Sequence, residues 1–306
     1  MRPSIPVFKI RASAAGQIMG GAIGKPTPLQ LKLLADLEAK KAIKPLTDRQ
    51  QATLDELIAK RDAPPTLQKG AKTYCQNWLK EILYGRREPF VGNKYTEHGI
   101  KGEQQGIELT CRVMGYEGVI KNEKYFENDW FTGTYDIKTK PKRIEDIKCS
   151  WSAFTFPLFD SDLPESDYFF QGQIYMDLDN ADEFSVNYCL VDAPAEIIEK
   201  EAYFASKRKG FDELDYLTEL ETMRDMTYGA IPEGLEIAAR EAIPDKLRFK
   251  SFEFKYDESV IAALKTQVEL CREYINELIN QLYPEQSTII AHSPEPNLII
   301  VEKAKI

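Results

Sequence analysis

Apolar residues recur along this chain at two periods, and the change between them divides it into regions. From Thr27 to Arg61 the period is helical, with Leu29, Leu33, Leu34 and Leu37 in one stripe and Leu54, Leu57 and Ile58 in another. Thr47-Asp48-Arg49-Gln50 between them reads as a capping box opening the second helix, so a helical hairpin is predicted over 27–62. Pro64-Pro65 breaks the chain before a helix over Gln68 to Tyr84, with Trp78, Ile82 and Leu83 toward a core, and residues 95–113 form a further helix. The period then falls to two. Phe131 to Ile137 is aromatic and β-branched, Ile144 to Cys149 alternates, and Lys138 to Arg143 has the Pro and charge of a hairpin connection. Beyond a helix around Gln171 to Tyr175, the pattern predicts a strand from Phe184 to Val191, a charged helix near Asp212 to Met226 and a strand near Leu247 to Tyr256. A long helix then runs from Glu258 to Leu282, with Ile261, Leu264, Val268, Cys271, Tyr274 and Leu278 along one side. At the other end, residues 8–20 read as a short strand or turn entering a helix, with Ser13 as its N-cap and a flexible glycine-rich connection after it. This order predicts an α/β fold, a central mixed sheet flanked by helices.

Period two puts Asp146 and Lys148 on one face of their strand, Glu145 and Ile147 on the other, and Asp136 on the neighbouring strand. Carboxylates so grouped hold a divalent cation through oxygen, and an ammonium beside them can hold or help deprotonate a water: equipment for hydrolysing a phosphodiester. Two more pieces join this set. Gly99 to Glu103 is a GxxxE spacing on a helix, with Glu108 as a rival acid about a turn further on, and Gln171 to Tyr175 is QxxxY with both side chains on one helix face.

Taken in order, GxxxE, an Asp, DxK ten residues later and QxxxY, the chain resembles the PD-(D/E)xK nuclease superfamily, and within it the lambda-type phage exonuclease or viral recombinase (YqaJ-like) branch. Cys149 after the lysine and Arg11-Ala12-Ser13 near the start add to the likeness, which covers roughly residues 8–20 and 72–190. The resemblance implies a restriction-endonuclease-like core in a single domain over 1–306. Within it, 27–62 would be an inserted hairpin, 72–191 the catalytic core, 192–283 C-terminal strand and helices, and 284–306 a tail. It further implies a DNA exonuclease acting on duplex ends, 5′→3′, in phage-type recombination. The alternatives are an endonuclease or structure-specific nuclease and a DNA-binding protein that keeps the fold without turnover. Two Mg²⁺ or Mn²⁺ ions would be held by Asp136, Asp146, the Ile147 carbonyl and Glu103, with Lys148 at the attacking water and Gln171 and Tyr175 positioning. Family spacing selects Glu103 over Glu108. Ser13 falls where that family contacts a terminal 5′ phosphate, with Lys9 and Arg11 as nearby charge; a plain N-cap is the other reading. A single-strand annealing protein as partner and a homotrimer come from the likeness only.

The bulk numbers pull partly the other way. With 306 residues, 43% of them hydrophobic, a large core is within reach, but the net charge of −9 is the opposite of what whole-surface DNA binding needs. Local basic groups at Lys138, Lys140, Lys142 and Arg143 beside the proposed site, at Arg86-Arg87 and at Lys207-Arg208-Lys209 would have to supply the grip, although each also reads as a solvated loop. Five scattered cysteines without CxxC argue for a reducing compartment and against structural zinc, and two histidines, His98 among them, argue against a multi-histidine site. Neither a signal peptide nor a membrane span is predicted, which points to the cytoplasm of a bacterial or phage-infected cell.

Overall fold

The computed structural model describes residues 3–19, 28–62, 64–89, 92–210, 213–226 and 243–284. The tail after Pro284 and most of the glycine-rich connection lie outside them. Strand β1 (Ile10–Arg11) runs through a 3-10 turn (Ala12–Ala14) into α1 (Ala15–Met19). Helices α2 (Pro28–Ile43), α3 (Asp48–Asp62), α4 (Lys69–Tyr84) and α5 (Lys94–Met114) follow. Then come β2 (Phe126–Glu127), β3 (Phe131–Gly133), β4 (Ile137–Lys140), β5 (Arg143–Cys149), α6 (Ser166–Asp179) and β6 (Glu183–Cys189). The chain continues with α7 (Ala195–Lys209), α8 (Glu213–Met226), β7 (Phe249–Lys255) and α9 (Glu258–Leu282).

The main sheet has the order β4-β5-β6-β7, with only the β5–β6 pair parallel, so it is mixed as expected. Helix α5 covers one face and α6 the other. Glycine makes both approaches possible: a Cβ at Gly106 would stand 2.5 Å from Ile147 Cγ2, and one at Gly172 2.5 Å from a Phe184 ring atom. On the α6 side Ile144, Phe184, Val186, Ile174 and Met176 join a core that extends through α1, α4 and α9, where Ile261, Leu264, Val268 and Cys271 are buried as their spacing predicts. Among the described residues no helix is long and apolar enough to cross a membrane.

The hairpin of α2 and α3 forms with its capping box closed reciprocally: Gln50 N–H donates to Thr47 Oγ1 at 3.3 Å and Thr47 N–H to Gln50 Oε1 at 3.2 Å. Leu34, Leu37, Leu54 and Leu57 pack on each other, whereas Leu33 turns outward. The helix over 195–209 has no counterpart in the sequence reading; its apolar positions Ile197, Ile198, Ala202 and Ala205 are spread thinly between charges.

Two local expectations are corrected. Phe131 to Ile137 is not one strand: β3 pairs with β1 and β2 in a separate small sheet, and the chain bends at Asp136 before β4 begins. Residues 138–140, expected as hairpin connection, are therefore strand, and the turn shrinks to Pro141-Lys142. Ser13 is not an N-cap. It sits exposed in the middle of the 3-10 turn, whose cap position is Arg11 without a side-chain cap bond.

Candidate active site

The alternation in β5 holds. Asp146 and Lys148 face α6, with Lys148 Nζ 2.7 Å from Asp146 Oδ2 and the Tyr168 ring centroid 4.4 Å from the same ammonium. Gln171 Nε2 donates to Asp146 Oδ1 at 3.2 Å and to Tyr175 Oη at 3.1 Å, so the helical i,i+4 pair meets the strand where period two puts the acid. Tyr175 also packs in the core against Tyr135 and Phe184, combining both readings of that residue.

Asp136 owes its place to the bend. Antiparallel pairing of Ile137 with Glu145 brings the residue before β4 alongside Asp146, and Asp136 Oδ2 accepts the Ile147 N–H at 2.6 Å. Asn122 fastens the bend, its N–H donating to the Asp136 carbonyl at 2.6 Å and its side chain to the Tyr135 carbonyl at 3.0 Å. Burial, then the Asp146 charge, push the Asp136 carboxyl up to about 8; the Ile147 N–H and Lys148 only partly offset them. Burial opposes the Lys148 ammonium, but Asp146 outweighs it and the pKa is raised. Lys148 is therefore firmly a cation here.

Of the two acids on α5, Glu103 is half-buried and close enough to Asp136 to raise its pKa, and it pairs with Lys121 at 2.7 Å. Glu108 is exposed and takes a hydrogen bond from Gln104 at 3.1 Å on the helix surface. The structure thus brings Glu103, and not Glu108, to the aspartates. Lys121, Asn122 and Tyr168 escaped the sequence reading. Only Tyr168 lay within a helix-period offset of Gln171 that could have marked it.

Among the described residues no three acidic, histidine or cysteine side chains already converge as a ligand set, because Asp146 and Glu103 turn toward lysines. The donors nevertheless fit a hard divalent ion. They are carboxylate oxygens, and the Asp136–Asp146 repulsion that raises the Asp136 pKa is what a cation relieves.

The predicted DNA contacts fare unevenly. Arg143 is buried and committed to Glu145 at 2.7 Å, Glu253 at 2.7 Å and Glu183 at 3.3 Å, so it is a structural ion-pair centre and not a DNA contact. Lys138 pairs with Asp179 at 2.6 Å, Lys142 donates to the Asn180 carbonyl at 2.6 Å, and Lys140 is exposed. Lys9 lies 3.4 Å from Glu127 and Arg11 beside Tyr74. Their segment runs along α6, where Gly16 is so close that a Cβ would collide with Asp167. His98 is fully buried, edge-on to Trp151 at 5.7 Å.

The fold, a mixed sheet between two helices, is shared with two solved exonucleases. The chain is similar to a phage-related exonuclease from Haemophilus somnus 129PT, with TM-score 0.58, 24% identity, and coverage of 90% of this chain and 97% of that one. It is also similar to an alkaline exonuclease from Laribacter hongkongensis, with TM-score 0.50, 12% identity, and coverage of 90% and 92%, a protein also solved in complex with dAMP. No protein-family model and no curated protein matches the chain.

Proposed function

We propose that the protein is a metal-dependent DNA exonuclease that hydrolyses phosphodiester bonds at duplex ends. The observation that carries this reading is the meeting of Asp136, Asp146 and Lys148 under Gln171 and Tyr175. The exonuclease fold of the structural neighbours supports it, and the dAMP complex of the Laribacter protein supports a deoxynucleotide as the group the site takes. Asp136, Asp146, the Ile147 carbonyl and Glu103 would hold Mg²⁺ or Mn²⁺, which when bound supplies charge neutralisation at the phosphate and a more acidic water. Lys148 would face the charge developing on the phosphate and orient the attacking water as a cation. Gln171 holds Asp146 from behind and is in turn aligned with Tyr175. Polarity 5′→3′, a role in phage-type recombination, a single-strand annealing partner and a homotrimer complete the reading, supported by the sequence resemblance.

The test is digestion of linear and covalently closed plasmid with Mg²⁺ or Mn²⁺. Linear DNA should disappear while closed circles persist, and EDTA should stop the reaction. Cutting of closed circles would make the enzyme an endonuclease, and activity surviving chelation would overturn the metal site.

A further inference from the structure

The connection from β5 to α6, residues 150–165, carries two exposed phenylalanines that the proposed chemistry does not use. Phe154 is 87% and Phe159 93% exposed, the two most exposed large apolar side chains among the described residues, with Ile43 next at 85%. Their exposure is built in. Trp151 is buried, with Tyr95 edge-on at 5.6 Å and Lys94 5.1 Å over its ring, and Phe156 is buried in the main core. Between these anchors Ser152 and Thr155 lock the turn: Ser152 N–H donates to Thr155 Oγ1 at 3.0 Å, Thr155 N–H to Ser152 Oγ at 3.2 Å, and Thr155 Oγ1 to the Ser152 carbonyl at 3.0 Å. Phe154 is the residue this closed turn pushes outward. Leu158 then packs against the core and leaves Phe159 on the surface.

Position and charge say what such rings meet. Phe154 lies six residues after Lys148, so at most ~20 Å of chain separates them. The other end of the connection returns to the site at Tyr168, beside Lys148. Of the basic residues near the site, Lys138 and Arg143 are paired with carboxylates, and the chain carries a net charge of −9. Asp160 and Asp162, exposed next to Phe159, repel the backbone and leave the faces of bases as the part of a strand that can approach.

Building on the proposed function, we propose that Phe154 and Phe159 are a stacking platform for unpaired bases of the DNA strand whose backbone crosses the Asp136–Asp146–Lys148 site. Every base offers a π-face, so such a grip is indifferent to sequence.

The experiment titrates the full chain, without divalent cation so that nothing is cut, into a short single-stranded oligonucleotide bearing a fluorescent adenine analogue. Wild type should bind with quenching of the analogue. Phe154→Ala and Phe159→Ala should each weaken binding ~10-fold and lose quenching, with the salt dependence unchanged, while Phe154→Trp restores both. Alanine variants that bind and quench like wild type overturn the platform, and so do variants whose only change is loss of self-association in sedimentation, which would make the rings a contact between copies. If wild type digests linear duplex yet the variants are indistinguishable from it, only the platform fails. If wild type neither binds nor digests DNA, the proposed function fails with it.

Discussion

Glu145 and Asp146 are consecutive buried acids on one strand, and they live opposite lives. Glu145, on the α5 face, takes hydrogen bonds from Arg143 at 2.7 Å, Asn187 at 2.7 Å, Tyr116 at 2.9 Å and Thr139 at 3.1 Å, with Ser185 closer still. Burial opposes its charge, but Ser185, Arg143 and Asn187 outweigh it and hold the carboxyl below its ordinary pKa. Asp146, on the α6 face, has Lys148 and one amide donor, and it faces Asp136 across the strand pair. One acid is saturated by its own protein. The other pair has fewer donors, and burial and the mutual repulsion of its carboxylates raise the Asp136 pKa to about 8. Burial therefore does not separate structural from functional carboxylates; the count of donors does.

The sharpest way to break this comparison is Glu145→Ala. It leaves the Arg143 cation buried without its central partner, which should cost ~3–5 kcal/mol of stability, read as a lower urea midpoint. A variant as stable as wild type would show that the donor network is dispensable. Asp146→Asn and Lys148→Ala should do the reverse, losing ~10²–10³-fold in cleavage rate with a smaller shift of the urea midpoint. Near-normal turnover in either would place the chemistry on another strand.

His98 extends the comparison to a buried group with no donor or acceptor. Neither ring nitrogen has a hydrogen-bond partner among the described residues, and burial lowers its pKa from 6.5 to about 4. The folded state thus holds fewer protons than the unfolded chain between these values. Its contribution is fully present above pH 6.5 and is lost as pH falls toward 4, by ~3 kcal/mol at most. Urea midpoints across that window should drop in wild type and drop less in His98→Phe; parallel curves would show that His98 is not the group responsible. The smallest effect separates the two acids of α5. Glu108→Gln should stay within ~0.5 kcal/mol of wild type in stability and cleave normally, whereas Glu103→Gln should weaken metal binding measured calorimetrically. The reverse pattern would mean that the helix acid is Glu108.

Much of this architecture was legible before any coordinates. The helical stripes of α2, α3, α4 and α9, the capping box at Thr47 and the alternation of β5 are local signals, and each formed within a few residues of its expected bounds. What failed did so through distance in sequence. The bend at Asp136 depends on Asn122, and the separation of β3 from β4 depends on β1, more than a hundred residues upstream. Arg143 read as a surface cation until strands β6 and β7 placed Glu183 and Glu253 around it.

By itself, the sequence determined which side chains of a strand or helix share a face, because the 2.0 and 3.6 periods are properties of the backbone. That put Asp146 with Lys148 and Gln171 with Tyr175. Only the tertiary structure decided what each face meets, because a charge's partners come from strands and helices far along the chain. It made Glu145 a satisfied strut and Arg143 an internal counter-ion, and it brought Asp136 and Asp146 to face one another across the strand pair.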